Sequence, residues 1–231
     1  YTTFRYDLTP YLQYGTEENI LAVRVDNAQQ PNSRWYSGSG IYRDVRLITT
    51  GTTFIDNWGL FITTPKITKN EATVDLKINL QADDKSEISV LSKIFNANGK
   101  LVSQIFSSNL DVNGLIHQIV RVKNPVLWSV KNPYLYRLET QIFQKNKLSD
   151  TYSSTFGVRY FDFDKDKGFS LNGESLKILG VCMHHDLGAL GAAFNKSAAR
   201  RQLQVLKNMG CNAIRTAHNP PAPQVLDLCD E

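Results

Sequence analysis

Polar residues able to do chemistry concentrate in two short clusters near the end of the sequence. The clusters are His184, His185 and Asp186, and then Arg215, His218 and Asn219. Their imidazole, guanidinium and amide groups give a fixed mixture of hydrogen-bond donors and acceptors. A sugar needs that mixture, because each of its hydroxyl groups both donates and accepts. The two clusters therefore predict a carbohydrate-binding site.

The elements that must position these clusters follow a strand, helix, strand pattern. The apolar run at 176–181 predicts a buried strand, and 212–216 predicts a second one. Between them, 197–209 has helical spacing and ends at Gly210, and another helix begins near Pro223. This order is the beginning of a parallel α/β unit. Loops after the carboxyl ends of parallel strands meet at one edge, so we expect the clusters to form one site.

Carboxylates are scarce around this predicted site. Glycoside hydrolysis normally uses two of them, about 5 Å apart in retaining enzymes, and the loops offer only Asp186. Asp230 and Glu231 fall within the last predicted helix, where a solvated or capping role is usual. A serine or cysteine nucleophile is not indicated either, because no Gly-x-Ser-x-Gly motif occurs and Cys182 lies inside the first strand. We therefore predict no catalytic residue in this chain.

The middle of the sequence alternates between apolar and polar residues. Residues 72–80 show this period of two, which is typical of a half-buried antiparallel strand. Further strands are predicted at 88–95, 101–106, 116–122 and 136–143, with a hairpin turn at Asn98 and Gly99. About seven short strands in 52–156 predict an immunoglobulin-like β-sandwich.

The first 50 residues also predict strands and turns. Strands are expected at 2–6, 20–25 and 41–48, as the last strands of another sandwich. Trp35 lies between Arg34 and Tyr36 in a loop rich in glycine and serine. Its indole is either a stacking platform for a sugar ring or a core side chain of this sandwich.

Composition excludes several other classes of function. The net charge is +4, but basic and acidic residues are mixed without a dense basic run, so no nucleic-acid partner is predicted. No stretch approaches the roughly 18 apolar residues of a membrane span. Cys182, Cys211 and Cys229 have no metal-binding spacing, and we interpret them as reduced core residues. No metal or other cofactor is predicted within these residues.

Five motifs, in order, make the whole chain resemble the family 2 glycoside hydrolases. This family includes β-galactosidases, β-glucuronidases and β-mannosidases. The motifs are RWYSGSGIYRDV at 34–45, NPVLWSVKNPYLY at 124–136, FGVR at 156–159, GFSLNG at 168–173 with GVCMHHD at 180–186, and IRTAHNPP at 214–221. The His184, His185, Asp186 form looks more like the β-galactosidase branch than the β-glucuronidase branch, which tends to carry His-Glu-Asp there.

The resemblance implies a mainly β chain that spans parts of three domains. These are the end of a jelly-roll sugar-binding domain at 1–50, an immunoglobulin-like sandwich at 51–156, and the first part of a (β/α)8 TIM barrel at 157–231. The acid/base and nucleophile glutamates of the family come from later barrel strands. We therefore expect an internal fragment of a retaining β-galactosidase that is inactive alone. The chain opens without Met and ends within a predicted helix, which also favours a fragment.

The resemblance also implies roles for individual residues. His184 and His218 would contact the sugar in the −1 subsite, and Arg215 would orient the active-site carboxylates. Asp186, Asn219 and Trp35 complete the predicted substrate-binding set. Beside Trp35, the sequence has Ser33 and Arg34 where the best-known β-galactosidase has an aspartate that meets the sugar.

Several alternatives stay open at this level. The parent protein could instead be a β-glucuronidase or another family 2 β-glycosidase. The chain could also be a carbohydrate-binding or architectural module without catalysis. Homo-oligomerisation, a divalent metal elsewhere in the parent and the cellular compartment are not decided, and a periplasmic or secreted location is compatible with the sequence.

Overall fold

The centre of the molecule is a sandwich of two antiparallel sheets. The computed structural model describes residues 3–29, 39–108 and 114–231. Its sandwich strands are β1 (Thr53–Ile67), β2 (Glu71–Ala82), β3 (Ile88–Phe95), β4 (Leu101–Ser107), β5 (Leu115–Lys123), β6 (Tyr136–Gln144) and β7 (Lys147–Phe156). One sheet has the order β1-β2-β5 and the other has β4-β3-β6-β7. The predicted immunoglobulin-like sandwich is confirmed.

Alternating side chains build the core between the two sheets. In β2, the apolar residues from Ala72 to Leu80 are buried, whereas the intervening Lys77 is exposed. The same period in β3 and β6 buries Ile94 and Leu138 completely. Between β3 and β4, the turn at Gly99 (φ +75°) is closed by the Asn96 side chain, whose Oδ1 accepts the Lys100 N–H at 2.9 Å. The predicted hairpin is therefore confirmed.

A buried polar bridge connects the two sheets through this apolar core. Ser92 Oγ on β3 donates to Gln118 Oε1 on β5 at 2.6 Å and lies 3.3 Å from Thr140 Oγ1 on β6. Gln118 Nε2 donates back to the Val90 carbonyl at 3.3 Å. A buried amide is costly unless its donors and acceptors are satisfied, so the bridge favours one alignment of the two sheets.

The segment before the sandwich corrects the prediction of strands at 2–6, 20–25 and 41–48. Within 3–29 and 39–50, no residue joins a hydrogen-bonded strand, and the regular element is a short 3-10 turn at Thr9–Tyr11. A strand needs a neighbour along its length, and the backbone here is held by contacts such as Asn19 Nδ2 donating to the Gln13 carbonyl at 2.7 Å rather than by a neighbouring strand. The predicted strands therefore did not form paired strands.

This segment is nevertheless tied to the sandwich. Arg5 Nη1 lies 2.5 Å from Asp56 Oδ1, which also accepts the Asn57 N–H at 2.8 Å. Asp56 begins an irregular stretch of β1, where the pairing with β2 shifts between Ile55 and Leu60. Trp58 in this stretch has φ +60° and is 64% exposed.

A small three-stranded meander, which the sequence did not predict, links the sandwich to the last part of the chain. It consists of β8 (Phe161–Asp164), β9 (Gly168–Leu171) and β10 (Glu174–Ser175) in the order β10-β9-β8. The meander is attached through Trp128, whose carbonyl accepts Asn172 Nδ2 at 2.9 Å and whose N–H donates to the Val158 carbonyl at 2.9 Å. Trp128 Nε1 also donates to the Asp230 carbonyl at 2.8 Å.

The last part of the chain is the predicted parallel unit. It contains β11 (Gly180–Met183), α1 (Lys196–Asn208), β12 (Ala213–Thr216) and α2 (Pro223–Asp230), and β11 and β12 run parallel. Asn195 Oδ1 caps α1 by accepting the Ala198 N–H at 2.9 Å. Gly210 (φ +93°) ends α1, with the Cys211 N–H donating to the Leu206 carbonyl at 3.0 Å.

The prediction that 176–181 is a buried strand is wrong in two respects. The strand begins only at Gly180, and Ile178 and Leu179 are 53% and 47% exposed. The reason is that β11 pairs on one side with β12, while its other edge has no strand beside it in the described residues. Cys182 and Cys229 are likewise exposed free cysteines rather than core residues. Among the residues that the structure describes, no helix is long and apolar enough to cross a membrane.

Candidate sugar-binding site

The two parallel strands place the predicted polar clusters side by side. Gly180 pairs with Ala213 and Met183 pairs with Thr216, so β11 and β12 end at the same level. A Cβ atom at Gly180 would lie 2.6 Å from the Ala213 carbonyl oxygen, so glycine allows the strands to approach this closely. The Ala217 N–H continues the pairing by donating to the Met183 carbonyl at 3.1 Å.

His184 and His218 meet directly beyond these strand ends. Their ring centroids are 5.7 Å apart and their planes are nearly perpendicular, at 85°. Both side chains are exposed, and the peptide bond between Ala217 and His218 is cis. The prediction that the two loops converge on one site is consistent with this geometry. The exposed edges of the two imidazoles can donate to or accept from the same bound molecule.

The other candidates occupy different positions around this pair. Arg215 is exposed on β12, and its Nη1 lies 3.6 Å from Cys182 Sγ on the neighbouring strand. Asp186 Oδ1 accepts the Gly188 N–H at 3.0 Å, which closes the turn after β11. Asn219 is half-buried next to His218. Trp35, the remaining candidate, lies outside the described residues.

The second histidine of the first cluster lies in a different environment. His185 is half-buried, and the Tyr42 ring lies 6.1 Å from its imidazole, between ring centroids. Burial lowers the pKa of His185, and the nearby Arg43 guanidinium lowers that pKa further, while Asp186 acts in the opposite direction. His185 is therefore held toward its neutral form, in which one ring nitrogen can accept a hydrogen bond.

Two contacts from 42–44 were missed at the level of sequence. Arg43 Nη2 donates to the Pro220 carbonyl at 2.6 Å, and Gln224 Nε2 donates to Asp44 Oδ2 at 2.6 Å. Arg43 also lines a small cleft together with His184 and His185. The partners are separated by most of the chain, so no local spacing could have indicated these contacts.

The acids at the end of the chain make contacts away from the histidine pair. Glu231 pairs with Arg200 of α1 at 2.8 Å, and burial raises the pKa of Asp230. The prediction that this chain carries no catalytic residue stays a prediction. What the described residues bring together is a group of donors and acceptors suited to binding.

The described residues thus combine a β-sandwich with the first two strands of a parallel α/β unit, and the histidine pair stands at the ends of those strands. The model described as "Glycosyl hydrolases family 2" matches residues 53–159, and that described as "Glycosyl hydrolases family 2, TIM barrel domain" matches residues 164–231. The chain belongs to glycoside hydrolase family 2.

Known relatives agree with this assignment. A β-galactosidase of Bacteroides ovatus is 49% identical over the whole chain, and a putative β-glucuronidase of Formosa agariphila is 38% identical over the whole chain. The chain spans 28% and 22% of the lengths of these two proteins. The crystal structure of a β-glycosidase from Bacteroides vulgatus superposes with a TM-score of 0.84 at 38% identity, covering 97% of this chain and 28% of that structure.

Proposed function

We propose that this chain supplies one side of the sugar pocket of a retaining glycosidase that removes terminal β-galactosides. The observation that carries the proposal is the perpendicular contact of His184 and His218 at the carboxyl ends of adjacent parallel strands. Members of this family are glycosidases, and the carboxyl end of barrel strands is where TIM-barrel enzymes bind substrate. In this proposal Arg215, Asp186 and Asn219 extend the pocket around the two imidazoles.

The chemistry itself is assigned to groups outside this chain. A retaining glycosidase needs a general acid and a nucleophile, both carboxylates, about 5 Å apart. Among the loops of the site Asp186 is the one carboxylate, with Oδ1 accepting the Gly188 N–H of its turn, and Glu231 is paired with Arg200. The residues described here would therefore bind and orient the sugar, while two glutamates of the complete protein break the bond.

A galactoside is favoured over a glucuronide by the likeness to known relatives. The Bacteroides ovatus β-galactosidase shares more residues with this chain than the Formosa agariphila putative β-glucuronidase does. The form of the first cluster agrees, since His185 stands where β-glucuronidases tend to carry a glutamate. A neutral imidazole at this position suits a sugar without a carboxylate.

The proposal extends to residues 1–50 as the end of a jelly-roll domain. Large apolar side chains there are exposed, including Tyr6 (79%) and Ile20 (89%). Exposed large apolar side chains of this kind favour further structure that covers them. Trp35, which lies outside the described residues, is kept in the proposal as a stacking surface for the sugar ring.

The test is hydrolysis of 4-nitrophenyl β-galactoside and 4-nitrophenyl β-glucuronide by the complete protein that contains this chain. We expect the galactoside to be preferred. Replacing His218 by alanine removes an imidazole that would hydrogen-bond a substrate hydroxyl, so kcat/KM should fall about a hundredfold. The 231-residue chain alone should give no turnover.

The matched control is His117→Ala. This histidine lies on the outer face of the sandwich and contacts Asp75 at 2.7 Å, so its loss should leave kcat/KM unchanged. Preference for the glucuronide would contradict the substrate assignment. Turnover by the 231-residue chain would contradict the assignment of the catalytic carboxylates to groups outside this chain. If galactose binding depended on Trp35 but not on His218, the chain would be a non-catalytic sugar-binding module.

A further inference from the structure

We propose that Arg43 and Asp44 are positioning residues of the sugar pocket. They hold the loop that carries His218, although this loop is far from them in the sequence. The inference rests on the proposed function, because it assigns these residues to the same pocket. Neither residue is required to touch the sugar. Their role is to fix the backbone at 217–221 and the first turn of α2.

The contact of Arg43 is with the backbone of the His218 loop. Its Nη2 donates to the Pro220 carbonyl at 2.6 Å, two residues after His218. Proline has no N–H, and Pro221 follows, so 220–221 offers no backbone donor for a regular ladder. A charge-assisted bond from the guanidinium of Arg43 is stronger than a neutral one and restricts the loop at this point.

The contact of Asp44 is with the helix that follows the loop. Gln224 Nε2, in the first turn of α2, donates to Asp44 Oδ2 at 2.6 Å. Together, Arg43 and Asp44 hold 220 and 224, three residues before and one residue after Pro223, where α2 starts. Two adjacent residues, Arg43 and Asp44, therefore hold both the backbone of the His218 loop and the first turn of α2.

Arg43 also acts on the first cluster. It lines the cleft shared with His184 and His185, and the neighbouring Tyr42 ring faces the His185 ring at 6.1 Å. Among the described residues, the charged or titratable groups that act on His185 are Arg43 from this segment, Asp186 beside it and His184 before it. Arg43 thus connects both histidine clusters, one through a hydrogen bond and the other through its charge.

Two other arginines of the same region make contacts that are local in sequence. Arg24 pairs with Asp26 at 3.4 Å and Arg46 pairs with Asp44 at 3.2 Å, in each case two residues apart on exposed chain. Exposed local pairs of this kind contribute little to stability. Arg43 instead joins segments 177 residues apart.

The experiment uses the 231-residue chain, without sugar, and two readouts by NMR. One is hydrogen exchange of the Ala217 amide, which is buried and donates to Met183. The other is the pKa of the His185 imidazole. In Arg43→Ala we expect Ala217 to exchange about tenfold faster, since a bond to a charged group is lost, and the pKa of His185 to rise.

Two further variants separate positioning from charge. Arg43→Lys keeps the charge and should restore the pKa of His185, but it should restore the slow exchange of Ala217 only in part. Gln224→Ala should accelerate exchange of the Val225 amide, which donates to Ala222 at 2.9 Å, without changing the pKa of His185. This variant tests the second contact even if Arg43→Ala does not fold.

The control is Arg24→Ala, which should change neither readout. The proposal is overturned if Arg43→Ala leaves both the Ala217 exchange rate and the His185 pKa unchanged, or if Arg24→Ala changes them equally. Because no sugar is present, these outcomes are independent of the hydrolysis assay. A complete protein that does not cleave galactosides would refute the proposed function and leave the loop contact measurable.

Discussion

The central sandwich and the α/β unit after it bury their side chains to very different degrees. In the sandwich, Leu76, Ile94 and Leu138 are completely buried between two sheets. In the α/β unit, Leu179 and Val181 are 47% and 37% exposed, although Val181 belongs to β11, which positions the first histidine cluster, and Leu179 directly precedes it. The difference teaches that this chain has one complete core, and that its candidate site lies on elements covered only in part.

Stability and site chemistry are therefore separated along the chain. The sandwich supplies most of the apolar burial that stabilises a fold, whereas the histidine pair sits on two short strands and their loops. Junction contacts such as the hydrogen bond from Trp128 to the Asp230 carbonyl attach the α/β unit to the sandwich. Changes in the sandwich should affect global unfolding, and changes in the α/β unit should affect local opening.

The largest expected effect is in hydrogen exchange. Amides of β2, β3 and β6 open only with global unfolding, so they should exchange at least about a thousandfold more slowly than amides at 20–25. The latter have no strand partner in the described chain. Exchange followed by mass spectrometry measures the ratio. Equal protection in both regions would mean that the sandwich strands and the segment at 20–25 open equally easily.

The next effect is a cavity in the sandwich core. Leu138→Ala should lower the free energy of unfolding by about 2–5 kcal/mol, because Leu138 is completely buried. The matched variant Leu179→Ala removes the same atoms from a half-exposed side chain, so its cost should be below about 1 kcal/mol. Urea unfolding of both variants checks the pair. Similar costs would mean that the α/β unit is packed as tightly as the sandwich.

A smaller effect is expected at the junction. In Gly157→Ala, the new Cβ would lie 2.8 Å from Trp128 Cβ, and Trp128 is held by bonds to Val158, Asn172 and Asp230. Overpacking of this kind costs about 1–3 kcal/mol. Gly51→Ala is the control, because its Cβ would meet nothing closer than Ser149 Oγ at 3.6 Å. Thermal unfolding should separate the two, and a neutral Gly157→Ala would show a movable Trp128.

The smallest effect is a pH dependence confined to the α/β unit. The pKa of His185 is lowered from its usual 6.5, so the unfolded segment binds a proton more readily than the folded one. The stability contributed by neutral His185 is complete above about pH 6.5 and is lost as the pH falls below that value and through the lower pKa of the folded state. The protection factor of the Ala217 amide should therefore drop below that pH. In His185→Gln it should stay level, while protection in the sandwich should not change in either protein.

Much of the fold could be predicted where a pattern is repeated. β3 begins and ends at the predicted residues because alternation, hairpin turn and apolar face all agree over Ile88–Phe95. The meander at 161–175 was missed because its strands are short and carry acids such as Asp162 and Asp164. Strands before Thr53 were predicted from runs of strand-forming residues between turns, and these runs find no pairing partner in the described residues.

The candidate site could also be predicted from the sequence in part. His184 and His218 could be brought together because parallel strands end at one edge, which is a property of the local order of elements. The contacts of Arg43 and Asp44 could not, since they join 43–44 to 220–224 and depend on how whole segments pack. Long-range hydrogen bonds leave no periodic signal in a sequence.

The bond between Trp128 and the end of α2 gives the molecule an optical property. Indole emission moves to longer wavelength as the ring becomes exposed to water, and Trp128 is half-buried with its N–H bound to the Asp230 carbonyl. Trp58, by contrast, is 64% exposed on its irregular stretch of β1 and already emits from water. Detachment of α2 from the sandwich should therefore shift the emission of Trp128 to longer wavelength.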